Sequence, residues 1–233
     1  IAFKKSDFDY YLRESLVETD ANYAPLYSQE YAAYLATAMA VNPDIMNAAV
    51  NNIDTPKGTY GSELIRYWNT VMVDGIGGAG KTAVIAKLIQ NIVKKYYPDA
   101  EIWKVGPTKQ QVDNLVSSLG SEGKAFTIED LMSHVLGESN YAELSNDILH
   151  NNKESKQFTI EELGPITSPG GTVMKSYRAA IINEDIEYND VQTPRLVFID
   201  EATWVNSLYM QHLSNWAHKN NVTIVPLGDL NQN

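Results

Sequence analysis

The sequence predicts an α/β fold: a parallel β-sheet with helices on both faces, preceded by a helical N-terminal segment and carrying a small insertion. Three observations predict it. From residue 67 onward, short β-rich runs alternate with amphipathic helical stretches, the pattern of a parallel sheet whose crossovers cover both faces. Leu196-Val197-Phe198-Ile199 is apolar without interruption, as strands buried on both sides are. A glycine-rich turn, residues 75–80, joins a β-rich run to a helical one.

Residues 1–66 read as helical. Ser6 caps a first helix, with Phe8, Tyr11, Leu12 and Leu16 at helical spacing. A second starts near Ser28 and carries Tyr31, Tyr34, Leu35 and Ala38 on one side. Pro43 opens a third with Ile45, Met46, Ala49 and Val50. The tyrosines here read as core and interface aromatics. Pro56, Gly58 and Gly61 mark a loop.

The sheet region follows. Strands are predicted at 70–74, 101–105, 125–127, 195–199 and 222–227. Helices are predicted at 81–97, at 108–119 ended by Gly120, at 128–136 and at 207–220. Residues 137–190 interrupt the rhythm. A structureless loop of that length is uncommon inside a compact domain. They read as an inserted subdomain, helical around 142–150, with a Ser168-Pro169-Gly170-Gly171 turn and a hairpin that includes 173–182. The domain reading is a helical segment 1–66 and a sheet domain 67–233 with 137–190 inserted.

Composition bounds the function. The 233 residues suffice for one or two domains with a real core. The hydrophobic fraction of 44% excludes disorder over the whole length. The net charge is -11, so nucleic acid is not held by bulk charge; any such binding belongs to a local groove and is salt-sensitive. There is no cysteine, which excludes disulfides and thiolate metal sites. No apolar run approaches the roughly 18 residues that span a bilayer, and the N-terminus has no signal-peptide core. The expectation is an intracellular, cytoplasmic protein without a membrane partner, with a viral or phage source left open. The chain opens on Ile1 and stops inside the loop that begins Gly228-Asp229, so both ends read as cuts in a longer polypeptide.

Two motifs carry chemistry. Gly75-Ile76-Gly77-Gly78-Ala79-Gly80-Lys81-Thr82 matches the phosphate-binding P-loop at every fixed position. Glycines let backbone N–H groups turn inward around a phosphate, and the helix N-terminus adds its positive dipole end. Lys81 reaches the β- and γ-phosphates, and the Thr82 hydroxyl ligates Mg²⁺. The bland reading is a glycine turn beside an incidental lysine. The second motif is the strand 196–199 running into Asp200-Glu201. Carboxylates at the C-terminal end of such a strand lie where α/β sheets bind ligands. Asp200 holds the Mg²⁺ through water, and Glu201 orients and deprotonates the attacking water. Alone the second motif is weak; behind a P-loop it points to ATP hydrolysis.

A third segment separates P-loop families. Strand 222–227 is followed by Gly228-Asp229-Leu230-Asn231-Gln232. Here the chain resembles superfamily 1 DNA helicases, whose motif III reads Gly-Asp-x-x-Gln after a strand. The order P-loop, Asp200-Glu201-Ala202, Gly-Asp-x-x-Gln is the family's. Gly106-Pro107-Thr108 resembles motif Ia, and Ala125-Phe126-Thr127-Ile128 resembles motif Ib. The resemblance implies that Gln232 lies near the γ-phosphate and that Pro107, Thr108 and Thr127 contact the backbone of single-stranded DNA, with RNA as the alternative. Taken singly, each threonine reads as a helix N-cap.

The resemblance covers about residues 70–233, the first of the family's two RecA-like P-loop domains, and looks most like the RecD-like branch. It implies an insertion before Asp200 that helps split the duplex. The sequence departs from the pattern at Glu129, where many relatives carry His, and at Leu230, where Pro is usual. Gln29 is the candidate adenine-reading glutamine, far ahead of the P-loop. The family's second RecA-like domain, in the same or another chain, supplies an arginine finger worth about 10³–10⁵ in rate in comparable enzymes. Without it the chain is expected to bind Mg-ATP, hydrolyse it poorly and not translocate.

Other readings compete. A viral DNA-packaging ATPase or a nucleotide kinase shares the P-loop; Gly-Asp-x-x-Gln and Pro107-Thr108 disfavour the first, and no lid arginines support the second. A nucleotide-binding structural module of a larger assembly is the third. His134, His150, His212 and His218 lack metal-ligand spacing and read as core or surface residues. Trp204 reads first as a core anchor and second as a stacking contact. The acidic run 183–190 reads as a solvated loop. Lys104, Lys109 and Lys124 are the cations flanking Thr108 and Thr127.

Overall fold

A computed structural model of the chain describes residues 4–19, 27–42, 70–75, 80–167, 170–181 and 186–229. The chain opens with α1 (Lys5–Thr19) and α2 (Tyr27–Val41), then β1 (Val73–Asp74). A π-wound turn, Lys81–Ala86, runs directly into α3 (Lys87–Tyr96). β2 (Ile102–Gly106), α4 (Lys109–Leu119), β3 (Ala125–Thr127) and α5 (Ile128–Leu136) follow. Next come α6 (Glu138–Leu149), β4 (Phe158–Thr167) and β5 (Val173–Ile181). β6 (Leu196–Ile199), the 3₁₀ turn Ala202–Trp204, α7 (Ser207–Lys219) and β7 (Thr223–Gly228) end the described chain. The third predicted helix, from Pro43, lies outside the described residues, as does the loop around Pro56.

The main sheet is parallel, in the order β1-β7-β6-β2-β3. β1 contributes two residues, in register Val73 with Leu227 and Asp74 with Gly228. The other four strands form the continuous ladder, with Ile199 beside Val105 and Gly106 beside Thr127. All five therefore point their C-terminal ends to one edge.

Alternation along the strands divides the core in two. Val73, Ile102, Leu196, Phe198, Val225 and Leu227 face one cluster, shared with α3 and with Leu115 and Leu119 of α4. Phe8 and Leu12 of α1 and Ala33, Ala36 and Ala40 of α2 pack into that same cluster. Trp103, Val105, Val197, Ile199 and Ile224 face the second cluster, shared with α5, α6, α7 and the base of the β4–β5 hairpin. Helices therefore cover both faces, as the pattern of residues 67–233 predicts. α4 leaves β2 toward one face and α7 leaves β6 toward the other. The crevice between strands whose connections part in this way is where open α/β sheets bind ligands.

Within 137–190 the structure shows α6 and an antiparallel hairpin with a register shift between Glu162 and Gly164. Phe158 and Ile181 bury the hairpin's base in the second cluster, and Gln211 of α7 hydrogen-bonds the backbone of Ala179 and Ile181. The acidic run is not simply a solvated loop. Of its described residues, Ile186 and Tyr188 pack on the second cluster, and burial raises the Tyr188 hydroxyl's pKa. Asn189 bonds the His134 and Val135 carbonyls near the end of α5. Apolar residues interspersed among acids overrode the charge pattern. Among the described residues no helix is long and apolar enough to cross a membrane.

Candidate nucleotide and nucleic-acid site at the C-terminal sheet edge

β1 delivers Gly75 to the sheet edge, where its N–H donates to the Gly228 carbonyl at 3.2 Å. That bond ties the start of the P-loop to the end of β7. Ile76, Gly77, Gly78 and Ala79 lie outside the described residues. The loop re-emerges at Gly80, with φ 78° and ψ 17°. An L side chain in this left-handed region costs roughly 1–2 kcal/mol, so glycine here answers a backbone demand. The Gly80 carbonyl accepts from the Val84 N–H at 2.8 Å and the Ile85 N–H at 3.3 Å, which winds the first turn wide. The first N–H groups of a helix have no partner within it and suit an anion.

Lys81 is half-buried, and its Nζ donates to the Gly75 carbonyl, bending the ammonium back to the P-loop's start. Thr82 Oγ1 donates to Asp200 Oδ1 at 3.4 Å. This contact joins residues 118 positions apart and brings both predicted metal-site residues together. Asp200 is positioned by β6, and its N–H donates to the Val105 carbonyl at 2.8 Å. Burial raises its pKa first and the Glu201 charge second. The Glu201 backbone, the Thr82 hydroxyl and Lys81 pull it back down. A hydroxyl and a partly desolvated carboxylate oxygen in contact fit a hard divalent cation such as Mg²⁺. Among the described residues no group of three or more histidines and acids gathers as a metal cluster.

Glu201 departs from strand geometry. Its φ of 47° and ψ of 43° are left-handed, a conformation that costs a non-glycine residue about 1–3 kcal/mol and that clusters at functional sites. The turn after it is closed by Trp204 N–H to the Glu201 carbonyl at 2.9 Å. Nothing in the residue type announces this conformation. Asp229 is buried at the end of β7, and Gln232 lies outside the described residues.

The three DNA-contact candidates reach the same edge. Pro107 and Thr108 follow β2, and Thr127 ends β3, the neighbouring strand. Thr108 is the exposed N-cap residue of α4, and its hydroxyl bonds Gln111 Oε1 rather than a backbone N–H. Thr127 caps α5 by accepting from the Asp130 N–H at 3.2 Å, and it donates to Asp130 Oδ2 at 2.7 Å. Gly106 is required for close packing, because a Cβ there would lie 2.9 Å from Gln111 Cβ.

The flanking cations divide. Lys104 is buried, with Nζ on the Glu122 carbonyl and its pKa lowered by burial. Lys124 sits over the Trp103 ring at 5.2 Å. Lys109 is exposed. Trp204 is not a core anchor: it is 64% exposed, while Trp103 and Trp216 are fully buried. Ala202 and Leu208, on either side of Trp204, fill the second cluster instead.

Comparison with known proteins agrees with this geometry. None of the curated proteins compared with the chain matches it. A protein-family model described as an AAA domain matches residues 64–233, more than half of the chain. The chain thus belongs to the AAA domain family, P-loop domains of the ATPase kind that are found in helicase-like proteins.

Proposed function

We propose that the chain is the ATP-hydrolysing motor domain of a superfamily 1-like DNA helicase, of the RecD-like kind. In this reading it acts on single-stranded DNA and is completed by a second RecA-like domain. The observation that carries the reading is the Thr82–Asp200 contact, made on the same sheet edge that holds Thr108 and Thr127. A nucleotide site and a strand site on one edge allow hydrolysis at one to be felt at the other.

Each residue has a role. Backbone N–H groups at the start of the helix after Gly80, with the Lys81 ammonium, hold the β- and γ-phosphates. Thr82 and Asp200 would hold Mg²⁺. The cation, when bound, neutralises charge on the phosphate oxygens. Glu201 orients the attacking water and accepts its proton at a carboxylate oxygen. By its motif, Gln232 is the residue we assign to the γ-phosphate. Pro107, Thr108 and Thr127 contact the strand's backbone.

The test is ATP turnover by the polypeptide joined to its second motor domain, with and without single-stranded DNA, beside Glu201→Gln. Stimulation by DNA that disappears in Glu201→Gln is the expected result. Turnover indifferent to DNA would move the assignment to an AAA-type ATPase with another cargo.

A further inference from the structure

Trp204 stands apart from the other described tryptophans. Trp103 and Trp216 stack on one another at 5.7 Å in the core, whereas Trp204 is 64% exposed. It ends a turn that begins at Glu201, on the edge that holds the P-loop, Thr108 and Thr127. The turn is anchored below the ring. Ala202 is buried in the second cluster, and Val205 packs against it. Thr203 lies against Gly228, where an added Cβ would come within 3.2 Å of Thr203 Cγ2. Backbone bonds from Trp204 to Glu201 at 2.9 Å and from Val205 to Ala202 at 3.1 Å close the turn. A large apolar ring is thus held out to solvent on a fixed base, at the cost of leaving its surface wet.

We propose that Trp204 is a stacking platform for a base of single-stranded DNA, set on the turn that carries Glu201. This deepens the motor reading and rests on it. Two observations favour the strand over the nucleotide's own base. The P-loop helix belongs to the first core cluster, whereas the residues flanking Trp204 belong to the second. α5, capped by Thr127, packs in that second cluster too, so Thr127 is the strand-contact candidate on the ring's side of the sheet, whereas α4 after Thr108 packs in the first. Charge points the same way. With a net charge of -11, and with Lys104 buried, phosphate attraction is modest here. Base stacking supplies affinity that needs no positive field.

The test compares the polypeptide joined to its second motor domain with its Trp204→Ala and Trp204→Phe variants, using anisotropy of a fluorescein-labelled oligo-dT. A fluorescent ADP analogue serves as the second probe. Trp204→Ala is expected to weaken oligo-dT binding by about 5- to 150-fold, the range of one aromatic stack. Trp204→Phe keeps a ring and is expected to stay within about threefold of the parent. Affinity for the ADP analogue is expected to be unchanged in both, which also shows that the variants fold. If the parent binds oligo-dT and Trp204→Ala binds it equally, the platform is refuted and the motor reading survives. If Trp204→Ala instead loses the ADP analogue, the ring serves the nucleotide and the proposal falls. If the parent binds no oligo-dT, both the platform and the motor reading fall.

Discussion

At the scale of single residues, two groups sit where their chemistry is disfavoured. Glu201 occupies the left-handed region, φ 47°, beside a carboxylate whose pKa burial and Glu201 itself raise. Asparagine tolerates that conformation and carries no charge. Glu201→Asn is therefore expected to stabilise the fold by about 1 kcal/mol, a rise of about 2–4 °C in Tm for a chain this size, while abolishing ATP turnover. A variant with unchanged or lower Tm would show that the turn holds no strain. His212 is buried on α7 with neither ring nitrogen partnered among the described residues. Burial pushes its pKa down to about 4, against roughly 6.5 in an unfolded chain. The unfolded state therefore binds the proton first. Stability is complete above about pH 6.5 and falls as the pH drops toward 4, by on the order of 3 kcal/mol. His212→Leu keeps the bulk and removes the proton, so its urea midpoints are expected to vary less across that window. Equal pH dependence in the two proteins would refute the assignment.

At the scale of elements, one side chain of α7 grips the backbone of the hairpin. Gln211 accepts from the Ile181 N–H at 3.2 Å and donates to the Ala179 carbonyl at 3.0 Å, standing in for a third strand. An isolated two-stranded hairpin is marginal in water. Gln211→Ala is expected to speed amide hydrogen exchange in 173–181 at least several-fold and to leave α3 protected. Unchanged exchange in β5 would mean that Phe158 and Ile181 alone hold the hairpin. Elements of this kind were legible where start and stop signals are local. β3 and α5 form at the predicted residues, because Thr127 caps, Glu129 and Asp130 fill the first turn, and Gly137 ends the helix. α1 starts at Lys5 rather than at a Ser6 cap, since the Lys4 carbonyl accepts from Asp7 and Phe8. The P-loop helix was legible as a helix but not as a π-wound one, because the widened turn follows from Gly80's backbone and not from side-chain spacing.

At the scale of the whole molecule, one sheet edge collects residues scattered between 75 and 229. The residue types were legible, because a P-loop and an acidic strand end are short motifs with fixed spacing. Their meeting was not. Thr82 and Asp200 approach only because β1, β7 and β6 lie side by side with parallel ends. The exposure of Trp204 was equally hidden, since it depends on which neighbours fill the second cluster. The net charge of -11, with Lys109 exposed near the strand site, implies that few phosphates are neutralised. A plot of log affinity for oligo-dT against log salt is accordingly expected to have a slope of about -2 or shallower, near -0.7 per phosphate contact. A slope of about -5 or steeper would instead reveal a basic groove along the strand site. In the proposed motor, Thr82 and Asp200 form one cation-dependent nucleotide site. Equilibrium binding of a fluorescent ATP analogue to the chain, with Mg²⁺ or with EDTA, tests it most directly, with Thr82→Ala and Asp200→Asn alongside. Mg²⁺-dependent binding, weakened at least about tenfold in either variant, is expected, as loss of a charge-assisted contact implies. Equal affinity in EDTA, or in both variants, would contradict it.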